Sequence, residues 1–562
     1  MRGFIVAAGF LAFAVAPAHP QTPDKPVRLV LQITVDQLRA DLIDRYAAGF
    51  GEGGFRRLLD HGAFYVNAHH RHANTETIVG HTTLSTGTDP AVHGMVANVW
   101  LDRGSGELSY NVQDADYPLL GEGGGVDQAT EIDPTQRLAT TQGRSPRSIQ
   151  TTTIGDEIAL SLGPDAKVFG VSIKDRGAIA MAGHAGKAFW FSKSEGRMVT
   201  STFYMDAYPD WVDAWNAKGI PASYANTSWK LLAEPSAYLF GNADDMPWET
   251  DFPGFGRTFP HPYGPADGKY FTTLLTLSPA GDEIVLDFAK ALMAAEEIGK
   301  DAITDYLSIS LSSTDYVGHF FGPSSLESED NLHRLDRTLA DLLAYIDKTV
   351  GLDQTLVVLS ADHGASEAPG YLKTLGIGGE NFSFDAVDKS EAITALKAKF
   401  GVAEELVEQF FQPYLYLNRK TIAAHGLDLA EVSRQVAEEL RKFPGVAYAV
   451  SSHDLRAGKV ARTPVTDAVL ANFHEDRSGD IYVVFEPHWF VADFDGQSVT
   501  GSHGSPWAYD SHVPVTWMGP GIKAGRIGRR VETVDVAVTI AAYLSVRPPS
   551  GARGRVMTEV MD

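Results

Sequence analysis

There is no cysteine anywhere in the 562 residues of this chain. That removes a disulfide framework, a thiolate zinc site and a cysteine nucleophile together. Any metal must be held by His, Asp, Glu or hydroxyl oxygen. Positive charge is also scarce: 47 Lys and Arg stand against 71 Asp and Glu, a net charge of −24. Such a balance excludes nucleic acid as the expected partner, because a phosphate backbone is met by clustered cations. It leaves room for a small phosphate ligand, whose site can oppose the global field. Long apolar runs are missing beyond the N-terminus, so no membrane span is expected.

The N-terminus itself predicts a secretory signal peptide over residues 1–18: Arg2, an apolar run from Phe4 to Val15, and the cleavage-type sequence Ala16-Pro17-Ala18. The mature protein is therefore expected in the periplasm or secreted. A hydrophobic content of 44% is that of an ordinary globular protein able to bury a large core.

Val27 to Val35 is an apolar run typical of a strand buried on both faces, and it ends at Asp36. The same arrangement recurs. Lys167 to Ile173 runs into Lys174-Asp175-Arg176; Tyr306 to Leu311 precedes Asp315 and His319; Thr355 to Leu359 leads to Asp362-His363. Strand ends that carry charged residues are where α/β proteins place their chemistry, at the carboxyl edge of the sheet. The i, i+4 spacing of Asp315 and His319 allows one metal if that segment is helical. His503 lies on the flexible loop Gly501-Ser502-His503-Gly504.

The segment Thr75 to Asn98 presents the hydroxyl of Thr77, a Thr/Ser-rich stretch and the amide of Asn98. His81 within it reads as structural. The cluster His69, His70 and His72 reads as a loop feature, because neighbours in an extended chain face opposite ways. Gly49, Gly51 and Gly54 match a dinucleotide-binding pattern, but they follow a helix-like stretch, which is the wrong context.

The fold expected is α/β, with a mostly parallel central sheet flanked by helices. Ser278 and Pro279 predict the start of a long helix reaching Gly299. Three insertions are expected in a catalytic domain of residues 27–562, at about 101–155, 200–270 and 370–480. The last has the makings of a small α+β satellite.

Taken together, TVDQ at 34–37, TIVGHTTLSTGT at 77–88, GMVANVW at 94–100, SIKDRGA at 172–178, SSTDYVGHFFGP at 312–323, SADHG at 360–364 and GSHGS at 501–505 resemble the alkaline phosphatase superfamily. The likeness is greatest to periplasmic alkaline phosphatases of the PafA and PhoK type, which use a threonine nucleophile. The resemblance implies two zinc ions per chain. One would be held by Asp36, Asp362, His363 and the Thr77 oxygen, the other by Asp315, His319 and His503. It implies Thr77 as the nucleophile that takes the phosphoryl group, and Asn98, Lys174 and Arg176 as ligands of the nonbridging phosphate oxygens. Hydrolysis of small phosphate monoesters follows as the expected activity. A phosphodiesterase or phosphonate monoesterase on the same fold is the alternative. Oligomeric state is left open by the sequence.

Overall fold

The computed structural model describes residues 26–561, apart from 122, 385–386 and 495–496. The expected signal peptide thus lies outside the described residues. No helix among them is long and apolar enough to cross a membrane.

The fold is α/β, as expected: a mixed, mostly parallel sheet lies between layers of helices. Its strands are, in chain order, β1 (Leu29–Val35), β2 (Ala63–His69), β3 (Val168–Ser172), β4 (Lys187–Ser192), β5 (Arg197–Val199), β6 (Asp305–Leu311), β7 (Thr355–Ser360), β8 (His512–Met518), β9 (Gly525–Ile527) and β10 (Val531–Glu532). Across the sheet they run β9-β2-β8-β7-β1-β6-β3-β4-β5, and β10 also pairs with β2. β1 is central and parallel to both β6 and β7.

Every residue of β1 is buried, which explains its unbroken apolar character. Leu29, Leu31, Ile33 and Val35 enter one core with the helices Pro279–Ala295 and Leu326–Thr349. Val30 points the other way, toward Leu356, Val358, Trp517 and the helices Ile154–Leu162 and Asp535–Leu544. The two-residue period of the strand thus divides the core into two layers.

Direction within the sheet decides what reaches its carboxyl edge. β8 is antiparallel to β7, so the loop that precedes β8 arrives at the edge where β7 ends. β2 is antiparallel to β8, and so runs with β7 and leaves at that same edge. Thr77 and His503, far apart in sequence, are brought together by these two reversals.

A second, four-stranded antiparallel sheet is built from Val407–Phe411, Tyr414–Leu417, Ile481–Phe485 and Val446–Ser451, in that spatial order. The long helix expected to reach Gly299 ends sooner, at Ala295. Ser278 does not cap it through its side chain; its hydroxyl donates to the Leu275 carbonyl instead.

Candidate active site

Asp36 directly follows β1, Lys174 lies two residues beyond β3, and Asp362 two beyond β7. Asp315 sits in the first turn of α3, the third helix of the site (Ser313–Phe321). The first, α1, spans Thr77–Thr86, and the second, α2, Asp175–Ala182. Thr77 is the first residue of α1, where unpaired backbone N–H groups and the helix dipole favour an anion. Gly80 lets α1 approach the end of β7: a Cβ there would stand 1.9 Å from the Asp362 carbonyl oxygen. Any side chain at 80 would push the Thr77 helix off the sheet edge.

Two cations converge on the Thr77 hydroxyl. Arg176 Nη2 donates to Oγ1 over 3.3 Å, and Lys174 Nζ lies 3.5 Å from the same atom. Lys174 also bridges Asp36 at 2.8 Å and Asp315 at 2.5 Å. Burial alone lowers the Lys174 ammonium, but Asp315 and Asp36 outweigh it and hold the pKa above its ordinary value. Arg176 gives its other arm to Asp133 at 2.6 Å. Asn98 accepts the Ile78 N–H on Oδ1 at 3.2 Å, which ties it to the start of α1.

The three histidines share one tautomer. His363 Nδ1 faces the Gly364 carbonyl at 2.9 Å, His319 Nδ1 that of Gly501 at 2.8 Å, and His503 Nδ1 that of Thr75 at 2.7 Å. A carbonyl only accepts, so each Nδ1 carries a proton and each Nε2 is turned inward. Each Nε2 faces a carboxylate: His319 Nε2 is 3.3 Å and His503 Nε2 3.6 Å from Asp315 Oδ1, and His363 Nε2 is 3.5 Å from Asp36 Oδ1.

This donor set fits divalent cations. The ligand atoms of Asp315, His319 and His503 lie within 4.8 Å of one another, as do those of Asp36, Asp315 and His363. His363 Nε2 and Asp36 Oδ1 are fully buried without a hydrogen-bond partner, which no neutral, dry site tolerates cheaply. Nitrogen with carboxylate oxygen, and no thiolate, suits zinc. Asp362 stands just outside both triads. Its Oδ1 receives the Gln37 and His363 backbone N–H groups at 3.1 and 3.0 Å. Its Oδ2 is 3.5 Å from His363 Nε2.

Charge at the site is uneven. Burial, and then Asp362, raise Asp36 well above the usual carboxylate range. Burial acts the same way on Asp315, but Lys174 and then His319 hold it well below that range. Burial, helped by His363 and His319, keeps His503 neutral by a large margin.

All ten residues singled out in the sequence meet here. Others escaped notice. His81, read as structural, places Nδ1 3.0 Å from Asp362 Oδ2 and Nε2 2.8 Å from Ser310 Oγ. Gln37 donates Nε2 to Asp315 Oδ1 at 2.8 Å from an αL backbone with φ 66°. Glu76, pushed up to about 7 by burial, accepts the Asn98 N–H at 2.5 Å. Gln37 and Glu76 border Asp36 and Thr77 in sequence, and that adjacency was the signal available. Asp133 carried none. Of the early histidines, expected in a loop, His69 is instead the last residue of β2, half-buried against His512, and His70 and His72 are buried just beyond it.

The family model for type I phosphodiesterase / nucleotide pyrophosphatase matches residues 30–506. Alkaline phosphatase PafA of Elizabethkingia meningoseptica is 35% identical over 100% of this chain and 98% of its own length. Alkaline phosphatase PhoV of Synechococcus elongatus is 33% identical over 96% of this chain and 94% of its own. The crystal structure of wild-type PafA superposes with a TM-score of 0.86 at 34% identity, covering 96% of this chain and 99% of that one.

Proposed function

This chain belongs to the type I phosphodiesterase / nucleotide pyrophosphatase family, within the alkaline phosphatase superfamily, and on that premise we propose that it is an exported, metal-dependent phosphomonoesterase working through a phosphothreonine. Relatives named as alkaline phosphatases support the enzyme class. The choice of monoester rests on one observation: Lys174 and Arg176 both stand within 3.5 Å of the Thr77 hydroxyl oxygen.

Thr77 Oγ1 attacks phosphorus and the ester oxygen leaves on the opposite side. The transferred group spreads negative charge over three nonbridging oxygens. Arg176 and Lys174, 3.3 and 3.5 Å from the Thr77 oxygen, together with the Asn98 amide and the N–H groups that begin α1, are the groups assigned here to meet that charge. When bound, two divalent ions at the His and carboxylate ligands, zinc by that chemistry, supply positive charge that favours the Thr77 alkoxide, offsets charge on the departing oxygen and lowers the pKa of water. The ligand assignment proposed is Asp36, Asp362, His363 and Thr77 for one ion, and Asp315, His319 and His503 for the other. Hydrolysis of the phosphothreonine returns Thr77.

The family description names phosphodiesterases, so a diesterase is the competing reading. A diester has one of those oxygens esterified, and paired cations then contribute less. Steady-state rates on a monoester and a diester with the same leaving group decide between them. The expected result is a monoester preference that collapses when Lys174 and Arg176 are both replaced by Ala. A diester preference untouched by that replacement would overturn the proposal.

A further inference from the structure

Beside the phosphate position lies a cavity of about 70 Å³ that reaches from Asp315, His319 and His503 to the protein surface. Its wall away from the charged groups is apolar and comes from separate parts of the chain. Ile132 belongs to the segment between the hairpin strands Val99–Asp102 and Glu107–Tyr110 and the helix Ile154–Leu162; Phe320 to α3; Phe411 to the last residue of its strand in the second sheet; and Val499 to the approach to the His503 loop. Ile132, Phe320 and Val499 are buried, and Phe411 is half-buried at the rim.

Two polar side chains of that wall are engaged elsewhere. Gln412 gives its amide to the His503 carbonyl at 3.0 Å, and the Thr135 hydroxyl donates to Asp133 at 2.6 Å. Among the described lining residues Arg176 is the one Arg or Lys, and Asp133 holds it. Glu76 and Asp133 are further acidic residues of the lining, with Asp133 paired to Arg176.

We propose that this cavity receives the leaving group, and that Phe411 and Ile132 select phosphate monoesters whose leaving group is a compact apolar one, of the arylalkyl kind, over those that carry a second anion. This rests on the phosphomonoesterase reading and deepens it. The physical reason is direct. A ring placed against Ile132, Phe320, Phe411 and Val499 leaves water for apolar surface. A carboxylate or second phosphate placed against that apolar wall meets no Lys or Arg side chain there and loses its hydration without compensation. The second sheet, through Phe411, thereby enters substrate choice.

The test measures kcat/KM of the metal-replete enzyme for benzyl, ethyl and carboxymethyl phosphate (2-phosphoglycolate), whose parent alcohols are all weakly acidic. Benzyl phosphate is expected to exceed ethyl phosphate by about 10-fold or more, the order that an apolar pocket supplies. The carboxymethyl ester is expected to fall below ethyl phosphate. In Phe411→Ala or Ile132→Ala the benzyl-to-ethyl ratio should drop by about 10-fold. Should either variant fail to fold, competitive inhibition of wild type by benzylphosphonate against methylphosphonate reads the same preference. Equal kcat/KM for the benzyl and ethyl esters, equal inhibition by the two phosphonates, or an unchanged ratio in folded variants would overturn the inference and leave the phosphatase reading standing. Hydrolysis of none of the three esters would instead remove the phosphatase reading.

Discussion

His503 donates its Nδ1 proton to the backbone carbonyl of Thr75 over 2.7 Å, across 428 positions of sequence. The Thr75 hydroxyl reinforces the tie: it receives the Gly504 and Ser505 N–H groups at 3.2 and 3.0 Å and lies 3.0 Å from the Ser505 carbonyl. A histidine proposed as a metal ligand is thus fastened to the segment that ends in the proposed nucleophile.

Thr75→Val keeps the shape and removes the hydroxyl. We expect metal retention to weaken by about 10- to 100-fold, as for other groups that orient a ligand. Competition with a chelator, read by metal content, measures it. Metal content unchanged from wild type would show that the hydroxyl is dispensable to the loop.

Thr77→Ala should lower turnover of a phosphate monoester by at least about 10³-fold, since the attacking oxygen is lost. Thr77→Ser should retain far more activity. Rapid quenching of wild type with substrate at acidic pH should trap phosphate on Thr77, detectable by peptide mass. Undiminished turnover in the alanine variant with metal retained would exclude Thr77 as nucleophile.

Asp133 is a positioning residue for Arg176. Burial opposes its charge, yet Arg176 and then Lys193 hold its carboxyl well below the usual range, so the pair stays ionised. Asp133→Asn frees the guanidinium from its 2.6 Å partner. We expect a loss of about 10- to 100-fold in monoester kcat/KM, smaller than for a deleted transition-state donor, with a lesser effect on a diester. Equal losses on both ester types would point to a purely structural role.

Asp510 makes stability depend on pH. Its Oδ2 accepts the Ser505 N–H at 2.9 Å and the Ser505 hydroxyl at 2.5 Å, while Oδ1 is buried without a partner. Burial pushes its pKa up from 3.8 to about 8. The folded protein therefore keeps a proton that the unfolded chain releases near its ordinary value. Its stabilising contribution is complete below that value and declines as pH rises toward 8. Denaturant unfolding at pH 5 and 8.5 should show a wild-type loss, relative to Asp510→Asn, of the order of a few kcal/mol at most. Parallel pH dependences would rule this titration out.

Much of the site was legible because it is local. Asp36 directly follows, and Asp362 and His363 lie within three residues of, strands whose continuous apolar runs mark them, and Asp315 and His319 lie four apart on a helix that does form, from Ser313 to Phe321. Thr77 opens a helix of ten residues, so the motif that contains it is one continuous local element. The residues that escaped are those whose partner is distant. Asp133 meets Arg176 across 43 positions, and Phe411 reaches the same cavity from a different sheet.

Sequence alone determined which residue types end which strands, because burial on two faces imposes a pattern that any reader of the chain can follow. It also determined, by the absence of cysteine, that no thiolate donor is available to a metal. Only the tertiary structure decided the rest. The antiparallel placement of β8 and the return of β2 bring the His503 loop and Thr77 to one sheet edge. Backbone carbonyls of Gly364, Gly501 and Thr75 then fix which nitrogen of each histidine faces inward. Strand order, tautomer and the walls of the cavity arise from contacts between segments hundreds of residues apart, and no periodicity within a segment encodes them.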